Sequence, residues 1–198
     1  MKKILFLFLS TFISLTIISC ESSDDASTST GNTTTSLWTK QLGTSSSDGG
    51  SGVTTDSSGN VYVTGYTLGG LDGNTNSGSY DMFLVKYNSS GTKQWTKQLG
   101  SSGWDWGNGV TTDSSGNIYV TGYTSGDLDG YTSSGGQDIF LVKYNSSGTK
   151  QWTKQLGTTS SDYGYSVTTD SSGNIYVTGY TYGDLDGNTS SGGQDIFL

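Results

Sequence analysis

One thiol, several paired carboxylates and an uneven set of aromatic rings are the side chains through which this 198-residue sequence could do chemistry. It has no His and no Arg, so the commonest general base and the usual anion clamp are missing. Cys20 is the single cysteine, which excludes an intrachain disulfide. Asp127-Leu128-Asp129-Gly130 and Asp184-Leu185-Asp186-Gly187 each place two carboxylates an i, i+2 step apart in a Gly-rich stretch, a weak candidate for Ca²⁺ through hard oxygen ligands. Neither has the third oxygen ligand or the final Glu of an EF-hand loop, and Gly70 stands where Asp127 would in the preceding copy, so Asx-turn chemistry accounts for them more simply. Asp56, Asp113 and Asp170, and likewise Asp81, Asp138 and Asp195, recur at matched places, which suits turn capping and architecture better than catalysis. A carboxylate-pair hydrolase would have to use Asp residues present two or three times over. No cofactor is expected.

Cys20 has a setting of its own. Lys2 and Lys3 precede an apolar run, Ile4 to Leu9 and Phe12 to Ile18, that is interrupted at Ser10-Thr11 and reads as an export signal rather than a membrane span. It ends in Ile17-Ile18-Ser19-Cys20, which resembles the bacterial lipobox, where the thiol is acylated before cleavage on its N-terminal side. The alternative is an ordinary secretory signal with an accidental cysteine. Residues 1–19 are therefore expected to be a lipoprotein signal peptide. Residues 20–36, polar and without periodicity, are expected to be a flexible tether. The lipid would anchor the protein in the bacterial cell envelope, at the outer membrane or cell surface in preference to the inner membrane.

Gly, Ser, Thr and Asn dominate the chain, Pro is absent and Ala26 is the one alanine, while Tyr, Val, Ile and Thr supply β-formers. The formal charge is −8, and it becomes more negative when Lys2 and Lys3 leave with the signal. An acidic chain without arginine offers neither phosphate neutralisation nor guanine readout, which excludes nucleic acid as a partner.

The elements that must position these groups repeat. Trp38 to Gly43 returns as Trp95 to Gly100 and as Trp152 to Gly157, an offset of 57, and the same offset carries Val53 to Asn60 onto Val110 to Asn117 and Val167 to Asn174. One unit holds four strand signals: A at 109–112, B at 118–124, C at 138–144 and D at 150–156. Short Gly-bearing turns join A to B and C to D. Strand C is apolar on both faces and D alternates, as expected when D is outermost. The expected fold is all-β, four-stranded antiparallel β-propeller blades in residues 37–198, with units starting near 38, 95 and 152 and the last blade truncated.

Asp113 to Tyr123 and Asp138 to Gly148 resemble the bacterial β-propeller repeat family SBBP, from about Leu37 to Leu198. Family members often carry a Phe-Pro element in the B–C loop; here that place reads Leu128-Asp129-Gly130, so the loop structure is not carried over. About three blades are too few to close a ring, the usual range being about four to eight, so the chain is expected to be a fragment of a longer protein or to complete a ring by assembly. Trp38 to Leu42 is placed to be the outer strand of a closing blade.

The A–B and C–D turns are constant between copies, whereas the D–A and B–C segments vary, often exchanging small residues for Trp or Tyr. Trp104, Trp106, Tyr131, Tyr163, Tyr165 and Tyr182 therefore mark a candidate face for a glycan or protein ligand, against the simpler reading that long loops drift. The expected function is a non-enzymatic, membrane-anchored binding or scaffold protein. The alternatives are a carbohydrate-active enzyme with its catalytic residues in blades outside this sequence, and a purely structural envelope array.

Overall fold

The computed structural model describes residues 38–198. Cys20 and the residues expected to form the signal peptide and tether lie outside the described residues. Three antiparallel sheets follow one another along the chain. The first holds β1 (Asp48–Thr55), β2 (Val61–Thr67), β3 (Asp81–Tyr87) and β4 (Lys93–Leu99); the second holds β5 (Asp105–Thr112), β6 (Ile118–Thr124), β7 (Asp138–Tyr144) and β8 (Lys150–Leu156). The third holds β9 (Asp162–Thr169), β10 (Ile175–Thr181) and β11 (Asp195–Phe197). Sequential strands are neighbours in each sheet, so each is an up-and-down blade with strand A at one edge. The 57-residue, all-β blade expected from the sequence is the architecture found.

Each A–B hairpin is tied by one carboxylate. Asp113 Oδ1 accepts from the backbone N–H of Ser115 and Asn117 at 2.9 Å, and Oδ2 accepts from Asn117 Nδ2 at 2.7 Å and the Tyr119 hydroxyl at 3.0 Å. Asp56 and Asp170 make the same set. Burial works against the ionised Asp113, but the bonds from Asn117, Tyr119 and Ser115 outweigh it and lower the pKa. The C strands are tied similarly: Asp138 Oδ2 accepts from Ser134 N–H at 2.8 Å and Gln155 Nε2 at 2.9 Å, and Gln155 Oε1 accepts from Leu128 N–H at 3.1 Å. These repeated aspartates are structural ties, as their recurrence suggested.

Blades join face to face. Tyr62, Met82 and Leu84 of the first pack with Val110, Ile118, Val120, Leu128, Phe140, Val142 and Tyr144 of the second, with Trp95 and Leu99 against them. The inner strands are also stitched by side chains, Thr112 Oγ1 donating to Thr55 O at 3.1 Å and Thr169 Oγ1 to Thr112 O at 3.2 Å.

Strand A is longer than the sequence pattern suggested. It begins at Asp105 rather than Gly109, inside the stretch read as a D–A loop, and its register shifts between Gly107 and Gly109. The same bulge falls between Gly50 and Gly52 in β1 and between Gly164 and Ser166 in β9. An extra residue there re-aims a side chain and breaks the strict alternation that marks a strand in sequence. The bulged backbone presses on strand B, where a Cβ at Gly122 would stand 1.7 Å from the Trp106 carbonyl oxygen, and at Gly65 1.9 Å from that of Gly49. The Thr-Gly-Tyr of every B strand thus has a steric cause. Gly122→Ala is expected to destabilise the protein by at least about 2 kcal/mol in denaturant titrations, since the clash is with backbone. Gly50→Ala, where the nearest atom is 3.7 Å away, should change stability by less than about 1 kcal/mol.

Candidate functional site

The Gly-Tyr step of each B strand places Tyr66, Tyr123 and Tyr180 beside the start of strand A, at the end of the blades where the D–A and B–C connections lie. Rings from the A strands and connections fill in between. Trp106 stacks on Tyr66 of the preceding blade at 4.1 Å and 20°, and on Tyr123 of its own blade at 5.8 Å. Tyr80 meets Tyr66 edge-on at 5.4 Å and Trp104 at 6.4 Å. Tyr123 meets Tyr163 of the third blade at 4.9 Å; Tyr163, Tyr165 and Tyr180 contact one another, and Tyr180 meets Tyr182 edge-on at 5.6 Å. The result is a continuous ladder of nine aromatic residues crossing all three blades. Offset and edge-on pairs at these separations each contribute about 0.5–1.5 kcal/mol beyond area burial.

Local sequence decides which rings stand free. Gly49 replaces Trp106 in the first blade, and Tyr66 lies over it, 2.5 Å from where a Cβ would be. Tyr165 is the bulge residue of β9 and is turned out to 47 % exposure, while Trp104 is 51 % and Tyr182 44 % exposed. The Trp104 backbone is held by Ser125, whose hydroxyl accepts its N–H at 2.7 Å and whose own N–H donates to Trp104 O at 2.9 Å. Gln137 Oε1 accepts from Tyr163 Oη at 2.9 Å and Ser161 Oγ at 2.6 Å, and Gln194 Nε2 donates to Tyr182 Oη at 2.6 Å. The Trp106 indole N–H is buried with no hydrogen-bond partner among the described residues.

Five of the six rings picked out in the sequence therefore come together: Trp104, Trp106, Tyr163, Tyr165 and Tyr182. Trp106, Tyr163 and Tyr165 sit on strands rather than in loops. Tyr131 does not join them; it follows the Leu128–Gly130 turn, half-buried, its N–H donating to Leu128 O at 3.1 Å. Sequence reasoning missed Tyr66, Tyr123 and Tyr180, which are identical in all three copies and so give no signal of variation, and Tyr80, although Gln137 and Gln194 at its matched places carried the signal.

The ladder is flanked by acids, of which Asp105 and Asp162 are buried, and lacks cations. Lys40, Lys86, Lys93, Lys97, Lys143, Lys150 and Lys154 lie on C and D strands or in the segment ahead of β1. Asp48, Asp105 and Asp162 open the A strands, each accepting the backbone N–H four residues earlier, at 2.6, 2.7 and 2.6 Å. Between two blades, burial raises the Asp105 pKa against bonds from Thr124 and Ser101, with Asp81 nearby reinforcing it; at the open first blade, the bonds from Thr44 and Thr67 overcome burial and lower that of Asp48. The paired carboxylates of the B–C loops separate into different roles. Asp127 and Asp184 each cap a turn, at Ser133 and Ser190 N–H, both 2.8 Å, and Asp129 pairs with Lys150 as Asp72 does with Lys93. Among the described residues no three His, Cys, Asp or Glu side chains cluster to hold a metal ion.

Burial, with the Tyr163, Tyr180 and Tyr66 phenols adding to it, pushes Tyr123 up to about 12. A hydrogen bond with Tyr165, then burial, takes Tyr180 up to about 12. Between the unfolded tyrosine value of about 10 and these folded values, the native state holds protons that the unfolded chain has lost, so stability falls as pH rises across that window. Spectrophotometric titration near 295 nm with parallel unfolding scans is expected to find late-ionising tyrosines and falling stability from about pH 10 to about 12. Replacing Tyr180 by Phe should reduce both effects.

Repeated up-and-down antiparallel sheets, packed face to face and stitched along their A strands, define β-propeller blades. The chain belongs to the beta-propeller repeat family SBBP, whose pattern matches residues 37–72, 94–129 and 151–186. It is 30% identical to an uncharacterised WD repeat-containing protein of Acanthamoeba polyphaga mimivirus, over 81% of this chain and 14% of that protein. It is 31% identical to the regulatory protein FlaEY of Caulobacter vibrioides, over 73% of this chain and 17% of that protein. The chain thus spans about a seventh and about a sixth of the lengths of these curated relatives.

Proposed function

We propose that this protein is a non-catalytic, lipid-anchored binding or scaffold protein of the bacterial cell envelope, with the aromatic ladder as its ligand surface and an uncharged glycan as the ligand. The continuous ladder carries this reading. Trp104, Tyr165 and Tyr182 offer ring faces to the apolar C–H faces of sugars, Tyr hydroxyls and the Gln137 and Gln194 amides supply hydrogen-bonding groups, and the ladder itself presents no lysine to attract an acidic ligand. Repeating blades suit a repeating polymer. The non-catalytic part rests on a chain without His or Arg, in which the described carboxylates are largely engaged in turns and strand ties.

The anchoring part rests on Cys20 and its signal. With Cys20→Ser, the expressed protein should leave the detergent phase for the aqueous one; retention of a lipid-modified, detergent-partitioning protein would contradict the anchor.

The triple variant Trp104→Ala, Tyr165→Ala, Tyr182→Ala, all at exposed rings, is expected to weaken binding to neutral envelope polysaccharides at least tenfold while the protein keeps its β-sheet spectrum and a cooperative, though lowered, thermal unfolding transition. Undiminished polysaccharide binding would refute the ladder as the site. Loss of binding to envelope proteins with no polysaccharide binding by either form would replace the glycan with a protein ligand.

A further inference from the structure

Each blade presents one large apolar side chain at the same place, but the position that carries it changes. The residue before strand A and the residue after strand B are joined by a backbone bond in all three blades: Leu68 N–H donates to Ser47 O at 2.9 Å, Ser125 N–H to Trp104 O at 2.9 Å, and Tyr182 N–H to Ser161 O at 3.1 Å. Every such pair combines one serine with one large apolar residue. The apolar member follows strand B in the first and third blades and precedes strand A in the second. The residue after strand B lies two beyond the ladder tyrosine, Tyr66, Tyr123 or Tyr180, and so stands on the same side of the sheet. Leu68 is 39 % and Trp104 51 % exposed, in both cases with the following blade in place.

Successive pairs are locked to one another. The B–C loop of one blade bonds to the segment ahead of strand A in the next: Asp105 N–H donates to Tyr80 O at 2.7 Å and Ser79 N–H to Gly103 O at 3.3 Å. At the second junction Asp162 N–H donates to Gln137 O at 2.7 Å and Gly136 N–H to Ser160 O at 3.0 Å. Tyr80 therefore stands between the first and second pairs, and Gln137 between the second and third. Tyr80 makes an apolar boundary, edge-on to Tyr66 and Trp104. Gln137 makes a polar one: its Oε1 accepts from Ser161 and Tyr163, and its Nε2 donates to no partner among the described residues.

We propose that each pair is one glycan subsite, with Leu68 forming the first, and that a single linear, uncharged polysaccharide runs from blade to blade across Leu68, Trp104 and Tyr182. This rests on the ladder being the ligand surface. A ligand of one sugar unit needs one platform, whereas here a platform recurs once per blade at a spacing fixed by backbone bonds, as a chain of repeating units requires. The charge fits an uncharged polymer: Asp48, Asp105 and Asp162 beside the pairs commit their carboxylates to backbone N–H groups and hydroxyls, and no lysine lies on the pairs or on the B–C loops. Leu68 offers methyl groups but no ring face, which makes the first subsite the weakest. Gln137 Nε2 supplies a donor for a sugar hydroxyl between the second and third.

The test uses the full chain with purified neutral envelope polysaccharide, intact and cut into fragments of graded length. Leu68→Tyr recreates in the first blade the Ser161 and Tyr182 pair of the third, with Tyr66 as its neighbour where Tyr182 has Tyr180 at 5.6 Å. It should tighten polysaccharide binding about two- to tenfold, the worth of one added ring contact, and Leu68→Ser should weaken binding by a smaller factor. Ser57→Tyr, exposed in the A–B turn at the opposite end of the same blade, should leave affinity unchanged. Calorimetry should count one long fragment per protein but more than one of the shortest. Unchanged affinity in Leu68→Tyr, an equal gain in Ser57→Tyr, or several long fragments per protein would overturn the subsites, while loss of binding in the triple variant would still uphold the ladder as the ligand surface. Polysaccharide binding by neither the parent nor Leu68→Tyr would refute the ladder reading and the subsites with it.

Discussion

Everything in this structure depends on one packing contact: the face of a blade carrying the B-strand tyrosine and two C-strand aliphatics buries itself against the opposite face of the next blade. Tyr62, Met82 and Leu84 are fully buried because Val120, Phe140 and Val142 cover them. No single blade could do this alone, since an isolated sheet with apolar residues on both sides of strand C has two faces to hide and no layer of its own to hide them. Stability is therefore shared between neighbours, as in other repeat architectures. Repeated polar ties at Asp113 and Asp138 fix the hairpins and C strands so that the faces meet in the same register each time.

Because that contact and those ties account for the constant positions, variation is left to the end of the blades that lies outside them. The bulge in strand A is the hinge between the two demands. It needs a glycine opposite it on strand B, and it turns one residue of strand A away from the sheet: Ser51 in the first blade, Asn108 in the second and Tyr165 in the third. Asn108 uses the position to bond Gly164 O at 2.8 Å across the blade boundary, whereas Tyr165 uses it to add a ring to the ladder. One backbone feature thus serves assembly in one blade and surface chemistry in the next.

Strands B, C and D, and their turns, are legible in the sequence because their residues alternate or run apolar and their Asp-Ser-Ser-Gly-Asn and Asn-Ser-Ser-Gly turns recur. The first half of strand A is not, because Asp105-Trp106-Gly107-Asn108 is Gly-punctuated and the bulge breaks its alternation. The ladder is half legible. Aromatic exchanges between copies point to Trp104, Trp106, Tyr163, Tyr165 and Tyr182, but constancy hides Tyr66, Tyr123 and Tyr180, which serve blade architecture and ladder at once. Tyr131 satisfies the same sequence criterion and lies elsewhere, because the left-handed Asp129, φ 55°, and Gly130 redirect the chain just before it. Sequence offset sets which strand a residue belongs to; loop geometry sets where its ring arrives.

The shared contact is tested most directly by hydrogen exchange on Leu84→Ala, a fully buried first-blade residue in the interface cluster. Truncating it should cost about 2–5 kcal/mol. If the blades are held by their common face, amides of β6 and β7 should lose protection along with those of β2 and β3, although the substitution lies outside the second blade's sequence. Protection lost from β2 and β3 alone, with β6 and β7 unchanged, would show that the blades are stable independently and would contradict the account.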